Sequence, residues 1–374
     1  MDSPFLTILA RSALLLLQKG NKMERVRLAV IGAGLIGAKH AELIRANPSC
    51  CLAGICDLAP ARQATADKLG VPFYQRIEDI LDRERPAGAI IATPNAAHSA
   101  AAELCARHSV HMLVEKPIAE TLEEAHRIVK AAETHGVRVL VGHHRRHSPL
   151  TREARELVRG GTLGRLVGVS ALWALLKPDD YFQVGWRRVR PGGGPALINL
   201  IHDLDSLRFI CGEIREVYAR TSSAVRGFEV EDSVSVTLSF ENGPLGTILA
   251  SDATAAPWSY EATARENPMY FSTDESCYRF LGTQASLAFP TMDLWRYADP
   301  LRRGWQHPME HARRKVIAAD PLALQLEHFC RVVRGEEPPI VDGLDGTRSL
   351  AAVLAVLESA RTGKRVDLAP GDYR

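Results

Sequence analysis

The sequence predicts an α/β chain: a doubly wound parallel sheet over residues 25–147, then a second, strand-rich domain over 148–374 closed by helices. Three observations carry this. Apolar strand-like runs alternate with helical patterns from Arg25 to His147, the pattern of parallel strands joined by crossover helices. A glycine turn, GAGLIG, falls between the first strand and the first helix. The 374 residues suffice for two cores.

In chain order, FLTILARSALLLL (Phe5–Leu17) is apolar but broken by Arg11 and too short to span a bilayer. Asp2 stands where a signal peptide carries positive charge, and no small-residue cleavage site follows. MERVRLAVIGAG, from Met23, reads as a natural start, so residues 1–24 are expected to be an extension outside the fold. The alternative is an amphipathic helix packed on a neighbour.

The strand RVRLAVI leads into Gly32, Gly34 and Gly37. Gly32 allows a tight turn, Gly34 lets backbone approach a pyrophosphate, and Gly37 lets helix and strand pack closely. Leu35 and Ile36 open the helix and offer unpaired N–H groups to an anion. The strand CLAGICD ends at Asp57, about twenty residues on, where a carboxylate accepts bonds from ribose hydroxyls and repels a 2′-phosphate. NAD is therefore expected over NADP, with Arg62 keeping NADP as the alternative. Further strand ends carry TPNAAH (Thr93, Pro94, Asn95, His98), EKP (Glu115, Lys116) and GHHRR (His143, His144, Arg145). The first two are expected at the cofactor, because such sheets bind ligands at those ends. His143 and His144, read as adjacent strand residues, should point to opposite faces.

Composition narrows the class. With 46% hydrophobic residues, 24% charged and a net charge of +2, a strongly basic nucleic-acid binder is excluded as the default. Seven scattered cysteines form no CxxC pair, so reduced thiols in the cytoplasm are expected rather than disulfides or zinc. No membrane partner and no metal are expected.

GGGPALINLIHDLD (Gly192–Asp205) places one histidine in an apolar run after three glycines. Helical spacing would put Leu197, Leu200, Ile201, Leu204 and Leu207 on one face, with Asn199 and His202 sharing another. The glycines imply a sharp bend or a close approach. A buried structural helix is the bland alternative.

These motifs, with ALQLEHFCRVVRGEEPPIVDGLDG near the C-terminus, resemble the glucose–fructose oxidoreductase / inositol dehydrogenase / rhizopine catabolism (Gfo/Idh/MocA) family, in family order from about Met23 onward. The resemblance implies an N-terminal Rossmann domain and a C-terminal α+β domain with a large open, mostly antiparallel sheet. LGRLVGVSALWALLK, VYARTSSAVR, DSVSVTLSFENG and LGTILASDAT agree as β-branched or alternating runs. It also implies an NAD-dependent oxidoreductase of a sugar, inositol or related polyol, assembling as a homodimer or homotetramer through that sheet. Lys116 and His202 are then the catalytic candidates. A histidine can take the alcohol proton, and a lysine can stabilise the alkoxide. Asn199 stands at or near the place of the family's usual acid, leaving His202 without a carboxylate relay; Asp203 and Asp205 point elsewhere along the helix. Substrate contacts are expected from Lys116, His144, Arg145, Trp173, Tyr181, Trp186, Asn199 and His202, with Lys177 and Arg187 nearby as weaker candidates. The alternatives are an NADP-linked reductase of a keto-sugar or aldehyde and a non-catalytic sensor of the same fold.

Overall fold

Strands β1 (Val26–Ile31), β2 (Cys50–Cys56), β3 (Phe73–Tyr74), β4 (Gly88–Ile91), β5 (His111–Val114) and β6 (Val139–Val141) form a six-stranded sheet. The computed structural model describes residues 25–299 and 301–368; the predicted extension, residues 1–24, lies outside them. The order is β3-β2-β1-β4-β5-β6, every neighbour parallel. Helices α1 (Leu35–Ala46), α2 (Gln63–Leu69), α3 (Ile77–Glu84), α4 (His98–Arg107) and α5 (Leu122–His135) make the crossovers. They cover both faces of the sheet, so Leu28, Val30, Ile90, Leu113 and Leu140 are fully buried and the strands read as continuous apolar runs. The order reverses between β1 and β4, which opens a crevice at their carboxyl ends.

After α6 (Pro149–Arg159) the chain enters a ten-stranded sheet. Its strands are β7 (Leu166–Leu176), β8 (Ile214–Ser222), β9 (Ser233–Phe240), β10 (Leu245–Ser251), β11 (Ala253–Trp258), β12 (Tyr278–Gly282), β13 (Ala285–Phe289), β14 (Asp293–Tyr297), β15 (Met309–Arg313) and β16 (Val366–Asp367). The order is β15-β14-β13-β12-β7-β10-β9-β8-β16, with β11 also on β7. Pairing is antiparallel except for β7 with β10. Helix α7 (Ile201–Cys211), short α8 (Tyr260–Ala264), α9 (Pro321–Arg334) and α10 (Gly343–Thr362) complete this half. Helix α10 packs on β8, where Ser359 Oγ accepts the Ala219 N–H at 2.9 Å.

The last two long helices also serve the first sheet. Gly88 of β4 abuts Phe329 and Val333 of α9, and a Cβ there would lie 3.1 Å from each side chain. Gly346 of α10 abuts Val141, whose N–H donates to Val341 O at 2.9 Å. Arg138 reaches from beside β6 to the Val332 carbonyl at 2.8 Å.

Candidate active site

The glycine turn closes the carboxyl end of β1. Gly32 has φ +93°, and a Cβ there would lie 2.6 Å from the Ala92 carbonyl. At Gly37 a Cβ would stand 1.9 Å from Gly32 O. Gly34 differs: its missing Cβ would meet nothing within 4 Å. Helix α1 starts just after it with no side-chain cap, so the N–H groups of its first turn face that space. Asp57 is fixed beside the turn, Oδ2 accepting from Ala33 N at 2.7 Å and Oδ1 from Ala59 N at 2.8 Å. Arg62 is exposed on the 3₁₀ turn that follows. Open space above Gly34, an uncapped helix start and a held carboxylate suit a dinucleotide without a 2′-phosphate.

Thr93, Pro94 and Asn95 line the loop after β4 and keep some exposure. His98 does not face the crevice. It is buried, with one ring nitrogen 3.0 Å from Thr93 O and the other 3.0 Å from Pro117 O. It ties the loop after β4 to the one after β5, with both ring nitrogens at backbone carbonyls. Glu115 is likewise turned inward: Oε1 lies 2.8 Å from His40 Nε2, and Oε2 accepts the Lys116 N–H at 3.2 Å. Burial raises its pKa, but the His40 bond and the Lys116 charge outweigh that and hold it at about 2. His40, on the buried face of α1, escaped the sequence reading. Through Glu115 it braces the backbone that carries Lys116.

The second half of the site begins at the glycine run. A Cβ on Gly193 would stand 2.7 Å from Arg187 O and Val189 O, and one on Gly194 (φ +89°) 2.3 Å from Glu231 Oε1. The close approach is therefore made by the chain itself. Glu231 Oε1 accepts the Ala196 N–H at 2.9 Å, capping the segment. Residues Ala196–Leu200 then form a π-helical turn ahead of α7, so the expected single helix changes phase; such turns recur at functional sites. Within it the Ile198 carbonyl accepts from Lys116 Nζ at 3.0 Å, joining the two halves of the site.

His202 is only 8% exposed, and its buried Nδ1 has no hydrogen-bond partner. Burial, reinforced by Lys116, Arg145 and the neighbouring histidines, holds its pKa well below the usual range. It is neutral at neutral pH. Asp203 bonds Arg145 and Tyr278, and Asp205 bonds Arg146 and Ser349. The rings of His143 and His144 lie 6.4 and 5.1 Å from that of His202. Their expected opposition fails because β6 stops at Val141 and a 3₁₀ turn begins at His144. Burial keeps both neutral, with pKa values near 4. Asn199 Oδ1 accepts from Lys177 Nζ at 2.7 Å. Lys177 also pairs with Asp252 at 3.3 Å and lies 4.6 Å from the Tyr181 ring centre. Burial lowers its pKa to about 8 against the pull of Asp252.

Residues 26–143 match the NAD-binding Rossmann-fold domain of the Gfo/Idh/MocA oxidoreductase family, and residues 151–288 match that family's C-terminal domain. The chain belongs to this family. It is 30% identical over 315 residues to a 1,5-anhydro-D-fructose reductase of Ensifer adhaerens, covering 83% of this chain and 88% of the relative. Identity to a myo-inositol 2-dehydrogenase of Thermotoga maritima is 26%, over 92% of this chain and 98% of that one. Among solved structures, the WlbA dehydrogenase of Bordetella pertussis, in complex with NADH and UDP-GlcNAcA, shares the fold with a TM-score of 0.76 at 24% identity, covering 92% and 99% of the two chains. This chain is thus an oxidoreductase with an NAD-binding Rossmann domain. Among the described residues no helix is long and apolar enough to cross a membrane.

Within this Gfo/Idh/MocA oxidoreductase, two expected substrate residues prove to be internal braces. Arg145 is 1% exposed. Its guanidinium bonds Asp203 at 3.1 Å and Glu261 at 2.5 Å and lies 4.2 Å over the Tyr260 ring. Trp173 is fully buried and donates its indole N–H to Glu261 Oε2 at 3.1 Å. Both polar groups bond Glu261. Tyr181 is half-buried under the Arg187 guanidinium, 3.9 Å from its ring centre. Trp186 is exposed on the 3₁₀ turn leading to the glycine run.

Proposed function

We propose that this oxidoreductase interconverts a secondary alcohol and a ketone of a sugar, inositol or related polyol with NAD. One observation carries the reading: Lys116, at a strand end beside the cofactor turn, reaches the π turn that leads straight into a neutral, unpaired His202. Gly32, Gly34, Leu35, Ile36, Gly37 and Asp57 would hold the dinucleotide, with Thr93, Pro94 and Asn95 beside it. NAD bound there supplies a hydride acceptor for the carbinol carbon. His202, neutral because it is buried among cations, takes the hydroxyl proton. The Lys116 ammonium stabilises the developing alkoxide. Asn199 and Lys177 present an amide and an ammonium to substrate hydroxyls, the polar set a polyol needs. His144, Tyr181 and Trp186 complete the substrate side. Relatives named 1,5-anhydro-D-fructose reductase, myo-inositol 2-dehydrogenase and D-apiose dehydrogenase support the substrate class. Seven free cysteines support a reducing compartment, the cytoplasm.

A panel of polyols, sugars and sugar acids, followed by NAD reduction, identifies the substrate. With it, His202→Ala should lower turnover by about 10²–10⁴-fold while NAD affinity stays within about twofold. Lys116→Ala should lose turnover and weaken NAD as well. Near-normal turnover in His202→Ala would make the histidine structural.

A further inference from the structure

A cleft of about 880 Å³ opens where α6, α7, α9 and the start of α10 meet, lined by seven arginines against four carboxylates. None of its lining residues belongs to the Lys116–His202 site. We propose that it is a second ligand site, for a phosphate-bearing small metabolite.

The arginines divide into two groups. Those of the floor are neutralised: Arg146 bonds Asp205 at 2.7 Å and Asp345, and Arg208 bonds Asp345 at 2.7 Å and Glu213 at 2.9 Å. Those of the α6 wall are not. Arg152, Arg155 and Arg159 recur at helical spacing, so they share one face. Among the described residues Arg152 donates to the Arg146 carbonyl at 3.1 Å, and Arg159 to the Ile210 and Arg208 carbonyls at 3.2 Å. Among the described residues neither forms an ion pair. Arg155 has a buried Nε with no partner and reaches Glu156 only at 3.5 Å. Across the cleft stand Arg331, paired with Glu337 at 2.9 Å, and Arg348, 3.9 Å from Glu213.

Backbone carbonyls hold Arg152 and Arg159 in place without cancelling their charge. Burial, with Arg331 beside the one and Arg155 beside the other, makes both cations costlier than in water, against the weaker pull of Glu337 on Arg152 and of Glu213 on Arg159. Crowded, partly dry guanidinium groups that keep N–H donors beyond those bonds are matched by phosphate oxygens, which accept charge-assisted bonds from several of them at once. The volume accommodates a phosphate ester of metabolite size rather than a bare ion.

The test uses the full chain saturated with NAD, so that the glycine turn is filled, and inorganic pyrophosphate as probe. Isothermal calorimetry should give a Kd below about 1 mM, and thermal unfolding should shift upward. Sodium chloride at matched ionic strength should do neither. Arg152→Gln and Arg159→Gln should each weaken pyrophosphate about tenfold with NAD affinity unchanged. Arg155→Gln, removing the guanidinium whose buried Nε has no partner, should give the same readout, and Arg152 and Arg159, both exposed, can be exchanged without opening the core. Equal stabilisation by chloride, undiminished binding in Arg155→Gln, or loss of the signal once NAD is saturating would each overturn the site. Citrate binding as tightly as pyrophosphate would overturn the phosphate assignment.

Discussion

Asn199 is bonded to a lysine rather than to the histidine, and that changes what an acid there would do. In Asn199→Asp, Lys177 would gain a second carboxylate besides Asp252, raising its pKa from about 8. Lys177 is charged below that value and loses its proton above it. The alkaline fall of kcat/KM should therefore move to higher pH, by about one unit if the added ion pair contributes ~1.4 kcal/mol; an unmoved limb would mean that Lys177 is not titrating in the profile. At the other end of the crevice, Asp57 should make NAD bind about tenfold more tightly than NADP, the ratio for one ribose interaction of ~1.4 kcal/mol. Asp57→Asn should narrow that ratio in fluorescence titrations, and equal Kd values in the unaltered protein would refute the role of Asp57. Gly32, Asp57, Lys116 and His202 stand out in the sequence because each sits in a short motif. Arg145, His98 and Glu115 looked just as suitable in their strand-end motifs, and so did Trp173 within its strand. Their polar atoms go to internal partners instead, as with Glu261, 116 positions beyond Arg145. No local spacing records such a pairing, and the same blindness hid His40.

Helices and strands of the nucleotide half were readable because their signals are local too. Helix α5 is closed by Thr121, whose hydroxyl accepts from Glu124 N, and by left-handed Gly136. The π turn was not readable, since its residues carry ordinary helical spacing and the phase change depends on Glu231 capping from β9's side of the fold. Strands β11 to β15 were also missed: they are 5–6 residues long, and all of β15 is exposed, so alternation has little length in which to show. The glycine turn offers a clean separation of folding from binding. Gly34→Ala adds a methyl to open space, so the melting temperature should hold while NAD affinity drops at least about tenfold, a loss of ~1.4 kcal/mol. Gly37→Ala drives a methyl into Gly32 O and should reduce both melting temperature and NAD binding. Equal NAD affinity in Gly34→Ala and the parent would place the pyrophosphate elsewhere.

At the scale of the whole molecule, one face of the ten-stranded sheet carries exposed apolar side chains. Cross-strand register puts Leu245, Leu281 and Trp295 on that face in one row, with Leu249 and Tyr218 flanking it, and all five are exposed. Apolar patches of this kind mark association surfaces, so the homodimer or homotetramer that the family resemblance implies is expected to form here. Light scattering should give at least twice the chain mass, and Leu249→Lys with Leu281→Lys should return it to one chain with NAD binding intact. An unchanged assembly would move the interface to another surface. The helices shared by both sheets have a consequence for synthesis. Phe329 and Val333 seal the first sheet at Gly88, yet they are translated long after β6. A ribosome that has finished the nucleotide-binding half must add roughly 170 more residues before α9 begins, about 9 to 35 s at roughly 5–20 residues per second. Through that interval the emerging half carries an unsealed apolar seam at β1 and β4, which makes it a natural client for a holding chaperone and a poor candidate for expression as a fragment.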